Sequence, residues 1–342
     1  MSLLENTPSS DRPGAIPAFL SIDVEPNGFQ LASPDPAAWT GYAAMLEFSE
    51  QLRAKLSACT GTPPRFGWYF RTDPQIAEVY GRADHVMVAN PARLARLAAA
   101  GDYFGVHMHP IRWCPKQRAW IHDFDDARWL ARTVRASLEA YAGWAGEPAR
   151  RFRGGAGFLS NGIIEELEAG GVEVDLTLEP VASWGLEAVH VPTSIDASPV
   201  VGRYTDCRTA PHRPFRPAHR DFRVSGGERG RGLVMVPLST RASYPRRPLW
   251  RRVARRLSLL EPERELLYPA AAWPSPRFFW DRVEEQLQSM PRPYLALAIR
   301  TDHPELREAE RVRRIFDALP EHPLASCLLF VDPLEVASSL VA

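Results

Sequence analysis

The hydrophobic and polar positions of this chain alternate between two periods along most of its length. Short apolar runs, such as residues 19–24 and 66–70, are bounded by proline, glycine or charged residues, which is typical of buried strands. Between these runs, apolar residues recur three or four positions apart, as Met45, Phe48 and Leu52 do, which is typical of amphipathic helices. The first part of the chain therefore predicts a strand, a helix and a second strand.

The same alternation continues towards the C-terminus. Further helices are predicted to begin at Asn90, at Asp125 or Asp126, at Ser160 and at Ser275, and further strands are predicted near residues 103–109, 151–153, 172–176, 233–237, 294–299 and 327–331. Strands separated by helices pair in parallel with the helices outside, so the sequence predicts an irregular (β/α) barrel of about seven parallel strands.

The chain is predicted to hold one folded domain. Neither an internal repeat nor a low-complexity block divides it. Residues 1–17, rich in serine, proline and acidic side chains, predict a flexible leader, and residues 18–342 predict the barrel. A proline- and arginine-rich stretch at about 200–275 is expected to form an excursion on the surface.

Composition excludes several classes of function. The 41 basic side chains balance 41 acidic ones, so the net charge gives no sign of a nucleic-acid partner. The four cysteines are widely scattered, which indicates buried or idle thiols in a reducing compartment. The N-terminus does not resemble a signal peptide, and no apolar run reaches the length of roughly 20 residues that spans a bilayer. We therefore expect a cytoplasmic protein.

Two pairs of polar residues stand at the ends of predicted strands. Asp23 and Glu25 are two positions apart on the first strand, and His107 and His109 are two positions apart on the third. Side chains at i and i+2 of a strand share one face, so each pair points into one space. Two converging imidazoles suit a zinc-type cation, although such a pair also fits an ordinary hydrogen-bonded contact. The strand-end carboxylates favour the metal site.

Four motifs follow one another in chain order, and together they resemble the polysaccharide deacetylase family of carbohydrate esterases. That family combines an acidic motif on its first strand, a histidine motif ending in His-Pro, an arginine motif before a helix and a late catalytic histidine. The corresponding segments here are residues 21–25, 105–110, 152–155 and 294–303. The resemblance covers roughly residues 19–331.

The chain departs from the family pattern in each motif. It has Asp23-Val24-Glu25 where family members commonly have adjacent aspartates, and its two histidines are two positions apart instead of four. The arginine motif lacks the prolines and the aromatic residue, and the last motif lacks the usual leucine-x-x-histidine form. Metal geometry and sugar specificity therefore do not follow from the motifs.

The resemblance implies that a metal-activated water hydrolyses an N-acetyl amide on a sugar. It implies that Glu25, His107 and His109 bind a divalent metal, which would be zinc or else cobalt or nickel. Asp23 would then be the base that takes the proton of the water, and His303 the acid that protonates the departing amine. The roles of Asp23 and Glu25 are exchangeable at this stage, because both side chains face the same side of the strand.

Arg153, Asp175 and the glycines at 154–157 complete the predicted site. Arg153 either orients the base and holds the acetyl group or is a surface arginine at a strand end. Asp175, at the end of the next strand, is expected to hold Arg153 in place. The glycines either leave backbone N–H groups for a developing oxyanion or form only a tight turn.

Two other classes of function stay open. The first is a metal-free or inactive member of the same fold that binds a glycan without cleaving it. The second is a different metal-dependent hydrolase, either an amidohydrolase or a glycosidase. Amidohydrolases usually carry a His-x-His pair on the first strand, whereas the first strand here carries carboxylates.

The segment 241–256 is strongly basic, with seven arginines and no acidic residue. Trp250, Val253, Ala254 and Leu257 form an apolar stripe at helical spacing beside the basic face. This pattern predicts either a docked surface helix or a helix that meets anionic lipid headgroups or the phosphates of a lipid-linked sugar. The second interpretation would place the protein at the inner face of a membrane, with a lipid-linked saccharide as its substrate.

Overall fold

The structure, a computed structural model, describes most of the chain. The described residues are 14–28, 31–181, 194–195, 198–203, 205–243, 263–302 and 307–340. The strands are β1 (Ile16–Val24), β2 (Gly67–Arg71), β3 (Tyr103–Met108), β4 (Ile111–Cys114), β5 (Ala119–Asp123), β6 (Arg151–Gly154), β7 (Val174–Asp175), β8 (Ser194–Ile195), β9 (Ser198–Val201), β10 (Val234–Met235), β11 (Thr240–Ser243), β12 (Glu263–Leu266), β13 (Leu295–Arg300) and β14 (Leu328–Phe330).

Helices follow most of the strands of the central sheet. The α-helices are α1 (Thr40–Thr60), α2 (Pro74–Tyr80), α3 (His85–Ala89), α4 (Pro91–Ala99), α5 (Ala127–Ala145), α6 (Asn161–Ala169), α7 (Pro276–Gln288), α8 (Arg307–Asp317) and α9 (Pro333–Leu340). Short 3-10 helices span Pro36–Trp39, Gly155–Gly157, Gly227–Arg229, Leu319–Glu321 and Pro323–Ser326. Several helices begin where the sequence predicts, because the side chains of Asp126, Ser160 and Ser275 accept hydrogen bonds from backbone N–H groups in the first turn.

An eight-stranded parallel sheet forms the centre of the fold. Seven strands follow the order β10, β7, β6, β3, β2, β1 and β13, and β14 pairs with the first residues of β1. The N–H of Ser239 donates to the carbonyl of Ala296 at 2.9 Å, and the N–H of Ala296 donates to the hydroxyl of Ser239 at 2.9 Å. Ser239 follows β10 and Ala296 lies in β13, so these hydrogen bonds join the two edges of the sheet. The predicted irregular barrel of about seven parallel strands is confirmed.

The first strand begins at Ile16, two residues earlier than predicted and inside the expected leader of residues 1–17. The N–H of Ile16 donates to the carbonyl of Cys327 at 2.7 Å, and the first residues of β1 are in register with β14. Backbone pairing with β14 therefore extends the strand beyond the apolar run. Residues 1–13 lie outside the described residues.

Side chains of the barrel strands alternate between the helix-covered outside and the interior. In β1, Leu20, Ile22 and Val24 belong to the large hydrophobic cluster beneath the helices, whereas Phe19 belongs to a separate cluster inside the barrel. Asp23 is four positions after Phe19 in the same strand, so its side chain lies on the same face and also points inwards. The alternation thus places a carboxylate inside an otherwise apolar barrel.

Two glycines make room for two tyrosine rings inside the barrel. A Cβ atom on Gly67 would lie 2.4 Å from Cε2 of Tyr103, and one on Gly105 would lie 2.6 Å from Cε1 of Tyr69. Both tyrosines are buried and belong to the interior cluster. Tyr69 is in register with Gly105, two residues before His107 along the strand, so its ring fills the barrel below that histidine.

Two smaller sheets, neither of which the sequence analysis predicted, add to the barrel. One contains β4, β5, β9 and β8, and the other is the β11–β12 hairpin. β4 and β5 are antiparallel, with Ile111 in register with His122. The β4–β5 hairpin therefore brings β5 back to the end of the barrel at which β3 finishes.

The predicted surface excursion at about 200–275 is partly packed into the core. Phe215 and Phe222 are buried in the large cluster beneath the helices. Phe215 also pairs with Met235 through two backbone hydrogen bonds of 3.0 and 2.9 Å. These contacts hold part of the proline- and arginine-rich segment against β10.

Most of the predicted basic helix in the segment 241–256 lies outside the described residues, which stop at 243 and resume at 263. Arg241 itself belongs to β11 and contacts the carboxylate of Glu265. Its guanidinium carbon also lies 5.6 Å from the centre of the Trp273 ring. The charge of Arg241 is therefore already paired.

The cysteines and the lengths of the helices can be compared with what the composition predicts. All four cysteines are free thiols, and two of them, Cys59 and Cys327, are exposed rather than buried. Within the described ranges, every helix is too short or too polar to cross a lipid bilayer.

Candidate active site

Neighbouring strands bring five buried polar side chains to one end of the barrel. Arg71 of β2 is in register with His107 of β3, which is in register with Arg153 of β6. Asp23 lies near the end of β1, and Glu25 follows that strand directly. All five side chains are buried. Because the strands are parallel, these residues meet at their C-terminal ends, where α/β barrels place catalysis.

Glu25, His107 and His109 form a compact set of possible metal ligands, which we call the triad. Oε1 of Glu25 lies 2.9 Å from Nε2 of His107 and 2.6 Å from Nε2 of His109, and the two nitrogens lie 3.0 Å apart. Two imidazoles and one carboxylate are a donor set that zinc and similar ions accept, with positions left for water or substrate. The structure thus brings together the three predicted ligands.

The tautomer of His107 suits this interpretation. Its Nδ1 lies 2.7 Å from the carbonyl oxygen of Arg153, and a carbonyl can only accept a hydrogen bond. Nδ1 therefore carries a proton, and in the neutral ring Nε2 presents a lone pair to Glu25 and His109. Three electron-rich atoms this close together need a shared proton or a cation between them, so the donor chemistry of the site fits a divalent ion.

Arg71 is a buried residue of the site that the sequence analysis missed. Its Nη1 lies 3.1 Å from Oε2 of Glu25, and it also donates to Asp73 at 2.5 Å and to Gln75 at 3.0 Å. Although burial opposes ionisation, the electrostatic interactions with His109 and Arg71 hold the pKa of Glu25 well below its ordinary value. Arg71 therefore keeps Glu25 ionised and turns its other oxygen towards the imidazoles.

Arg153 holds the carboxylate of Asp23 beside the triad. Its Nε lies 2.9 and 2.8 Å from the two oxygens of Asp23, and its Nη1 donates to the carbonyl of Leu176 at 2.8 Å. Although burial acts in the opposite direction, Asp23 and Glu179 raise the pKa of Arg153 above its ordinary value. Nδ1 of His107 is 3.9 Å from Asp23. A permanently charged arginine thus orients a buried carboxylate next to the possible metal ligands.

The glycines at 154–157 have a packing role. A Cβ atom on Gly155 would lie 2.3 Å from three atoms of the His109 ring, so any side chain there would displace the imidazole. The N–H of Gly154 donates to the hydroxyl of Thr177 at 2.6 Å, so it is already engaged. Gly155 therefore makes room for the His109 ring, and the N–H of Gly154 is not available to an oxyanion.

Asp175 contacts different partners from the one predicted. It was expected to hold Arg153, but its carboxylate accepts hydrogen bonds from the N–H and hydroxyl of Thr177 at 3.1 and 2.8 Å. Glu179 lies 3.5 Å from Nη2 of Arg153 instead. The side chain of Asp175 is short, so it bonds to its own turn, whereas the longer Glu179 reaches the arginine.

Replacing Asp175 by Asn is expected to stabilise the protein progressively as the pH rises from about 4 to about 7. Burial raises the pKa of Asp175 to about 7, whereas an unfolded aspartate has a pKa of about 3.9. Between these values the folded state binds one more proton than the unfolded state, so the stability of the wild type falls as the pH rises.

The difference between these pKa values corresponds to roughly 4 kcal/mol at most above the folded pKa. Urea unfolding of both proteins between pH 4 and pH 8 measures the effect. We expect nearly equal stability at the acidic end and a constant advantage of the variant at the alkaline end. A difference that does not change with pH would contradict the raised pKa.

His122 is a second buried residue of this region that the sequence analysis did not single out. Its ring centre lies 6.0 Å from that of His109. Burial, together with the charge of Arg71, lowers the pKa of His122 to about 3. His122 is therefore a neutral wall of the site at ordinary pH.

The predicted acid, His303, lies outside the described residues. The segment that leads to it is tied to the site, because the Thr301 hydroxyl accepts from the N–H of Glu25 at 2.8 Å and donates to the carbonyl of Glu25 at 2.9 Å. The N–H of Thr301 also donates to the carbonyl of Asp23 at 3.1 Å. His303 stays a prediction.

Asp281, Glu284 and His322 form another group of possible ligands, far from the triad in sequence. Nδ1 of His322 accepts from the N–H of Leu324 at 3.2 Å, so Nε2 carries the proton and faces Asp281 at 3.3 Å. This tautomer has no free lone pair at Nε2. The contrast with His107 favours the triad as the metal site.

Comparisons with known proteins bear on the fold. No protein-family model and no curated protein matches the chain. A solved structure named as a polysaccharide deacetylase from Mycobacterium smegmatis superposes with a TM-score of 0.50 and 14% identity, over 99% of this chain and 95% of that one. A solved structure named as a glycoside hydrolase/deacetylase from Parabacteroides distasonis gives a TM-score of 0.50 and 13% identity, over 94% of this chain and 70% of that one. The chain therefore has the fold of polysaccharide deacetylases, as the motifs predict, in a highly divergent sequence.

Proposed function

We propose that the protein is a metal-dependent hydrolase that removes N-acetyl groups from a sugar. One observation carries the proposal: Arg153 holds the buried Asp23 carboxylate 3.9 Å from His107, which converges with Glu25 and His109 on one point that suits a metal ion. An oriented base beside a set of metal ligands is what hydrolysis of an amide by an activated water requires. The deacetylase-like fold agrees with this chemistry.

In this proposal, Asp23 takes the proton of the attacking water, and Arg153 orients the Asp23 carboxylate. The contacts favour this assignment over the exchanged one, because Oε1 of Glu25 faces both imidazoles whereas Asp23 faces Arg153. His303 is proposed to protonate the departing amine, so that the amide nitrogen leaves as a neutral amine.

Glu25, His107 and His109 would hold the metal. A divalent ion supplies a Lewis acid that lowers the pKa of a water molecule towards about 7 and polarises the amide carbonyl. The chain positions the ligands itself, because the carbonyl of Arg153 fixes the His107 ring and Arg71 fixes Glu25. Zinc is the proposed metal, with cobalt and nickel as alternatives that suit the same donors.

Acetate release from N-acetylated amino-sugar oligosaccharides tests the proposal. The purified protein is stripped with a chelator, reloaded separately with zinc, cobalt or nickel, and assayed for acetate and for the free amine by mass spectrometry. We expect equal amounts of the two products with at least one metal and none in the stripped protein. The variant Arg135→Gln, on the exposed side of α5, is the matched control and should keep full activity. A folded, metal-loaded protein that releases no acetate from any such substrate would contradict the proposal.

A metal-free glycan-binding protein of the same fold is the second candidate, and one contact favours it. Arg71 neutralises Glu25 at 3.1 Å, so the two imidazoles and the carboxylate can share a proton without any metal. The two candidates differ in metal content. About one equivalent of a divalent ion in the purified protein supports the enzyme, and its absence with retained glycan binding supports the second candidate.

We also propose that the substrate is a lipid-linked saccharide and that the protein works at the inner face of a membrane. Both proposals depend on the basic segment 241–256, whose described part is only 241–243. A cytoplasmic location would agree with the four free thiols, two of them exposed.

A further inference from the structure

A cavity of about 730 Å³ lies on another part of the molecule, between residues 211–216, the turn at 225–227 and the end of α7. Its wall includes Arg292, which stands shortly before the first residue of β13. The cavity is therefore near the N-terminal end of that strand, whereas the candidate active site lies at the C-terminal ends. The volume falls in the range of roughly 300–1,000 Å³ that small-molecule sites occupy.

The wall of this cavity is strongly basic. It carries Arg213, Arg216, Arg264 and Arg292, and none of the described residues that line it is acidic. Guanidinium groups that surround one space repel one another, and this repulsion is costly where no anion or water compensates it. The protein has equal numbers of basic and acidic side chains, so this local excess does not follow from its composition.

Two of these arginines are anchored by neutral groups and keep their charge uncompensated. Nε of Arg264 donates to the hydroxyl of Thr240 at 2.8 Å and Nη2 to its carbonyl at 2.9 Å, and Nη1 of Arg216 donates to the carbonyl of Arg231 at 3.2 Å. In the part of the chain that the structure describes, neither contacts a carboxylate. A half-buried guanidinium oriented by backbone carbonyls, without a counter-ion, is preorganised for an anionic ligand.

The remaining wall supplies neutral polar groups and an apolar side. Ser225 and Gln286 are possible hydrogen-bond donors, and Phe215 and Met290 are apolar. His212 also lines the cavity, and its buried Nδ1 has no hydrogen-bond partner among the described residues. A ligand with an anionic group and a compact body would satisfy both kinds of wall.

We propose that this cavity binds a phosphate-bearing small molecule. Phosphate accepts forked hydrogen bonds from several guanidinium groups at once, and its charge at neutral pH offsets the mutual repulsion of the arginines. The phosphate could belong to a soluble ester or diphosphate or to a lipid headgroup, since both present the same oxygens. This site is independent of the proposed hydrolysis, because it shares no residue with the candidate active site.

Isothermal titration calorimetry with inorganic pyrophosphate tests the proposal. We expect saturable binding to the wild type that weakens with added salt, and at least a tenfold increase in Kd for Arg264→Gln. Arg213→Gln, at an exposed residue, should weaken binding several-fold without disturbing the fold, which guards against a folding defect in the first variant. Arg277→Gln, at an exposed position near the start of α7, removes the same charge away from the cavity and should bind as the wild type does.

The variant His109→Ala separates this cavity from the triad. Its unchanged affinity would support the proposal, whereas a large loss would assign the pyrophosphate to the metal site and overturn it. Absence of saturable binding to the wild type, or equal weakening by Arg277→Gln and Arg264→Gln, would also overturn it.

Cosedimentation with vesicles containing phosphatidic acid, with and without pyrophosphate, identifies the source of the phosphate. Vesicle binding that pyrophosphate and Arg264→Gln both abolish indicates a lipid headgroup, and calorimetric binding alone indicates a soluble ligand.

Discussion

Asp23→Asn should lower the rate of deacetylation by about 10²–10⁴-fold while leaving the metal bound. The amide cannot take the proton of the attacking water. The amide of the variant also places an N–H group against the guanidinium of Arg153. In the wild type, this guanidinium contacts both carboxylate oxygens of Asp23. The triad does not include Asp23, so metal binding should survive. Initial rates of acetate release at saturating metal, together with elemental analysis of the same samples, measure both effects.

The surface pair of Asp206 and Arg208 offers a matched control. It has the same bidentate contact, with distances of 2.9 and 3.0 Å from Nε, but its aspartate is exposed. Asp206→Asn should keep wild-type turnover.

In the same assay, His303→Ala tests the proposed acid, and Glu25→Gln tests whether the two acidic residues exchange roles. Wild-type turnover in Asp23→Asn, or loss of metal from it with full retention in Glu25→Gln, would contradict the assignment of Asp23 as the base.

Loss of bound metal is the expected result of His107→Ala and of His109→Ala. Each substitution removes one of three protein ligands, and even the loss of an outer partner of a ligand typically costs about 10–100-fold in affinity. The two remaining ligands should therefore lose more than this factor of about 10–100 in metal affinity. Elemental analysis after dialysis against a limiting concentration of zinc measures occupancy, and thermal unfolding followed by circular dichroism reports whether the fold persists.

The exposed His219 and the second ligand group provide the comparisons for this experiment. His219→Ala should keep the metal content of the wild type. His322→Ala should also keep it, because the tautomer of His322 leaves no lone pair at Nε2. Full occupancy in both triad variants, or loss of metal from His322→Ala alone, would show that the triad is not the metal site.

The barrel was predictable because its strands are buried on both faces. The run at 295–300 in β13 is almost wholly apolar and stands out against the helical periodicity around it. The β4–β5 hairpin was missed because its residues, such as Arg112 and Trp113, are partly exposed and mix polar with aromatic side chains. Pairing in such a strand is decided by tertiary contacts more than by local pattern.

The meeting of Asp23, Glu25, His107 and His109 at one end of the barrel was predictable from position alone, since each stands at the end of an apolar strand. The same signal was present at Arg71, which ends β2, and at His122, which follows Trp120 and Ile121. Side-chain partners were harder to predict. Asp175 ends β7 and Glu179 follows it, and only the path of the turn decides which carboxylate reaches Arg153.

The tyrosine rings that fill the barrel have a kinetic consequence for any reaction at its C-terminal end. Tyr69 and Tyr103 fill the interior beside Gly67 and Gly105, where a Cβ atom would lie within 3 Å of their rings. Reactants are therefore expected to arrive, and both products to depart, through the opening at the C-terminal end. A product that lingers in the opening excludes the next reactant, so turnover is expected to show competitive inhibition by its own products and to depend on how quickly the larger one departs.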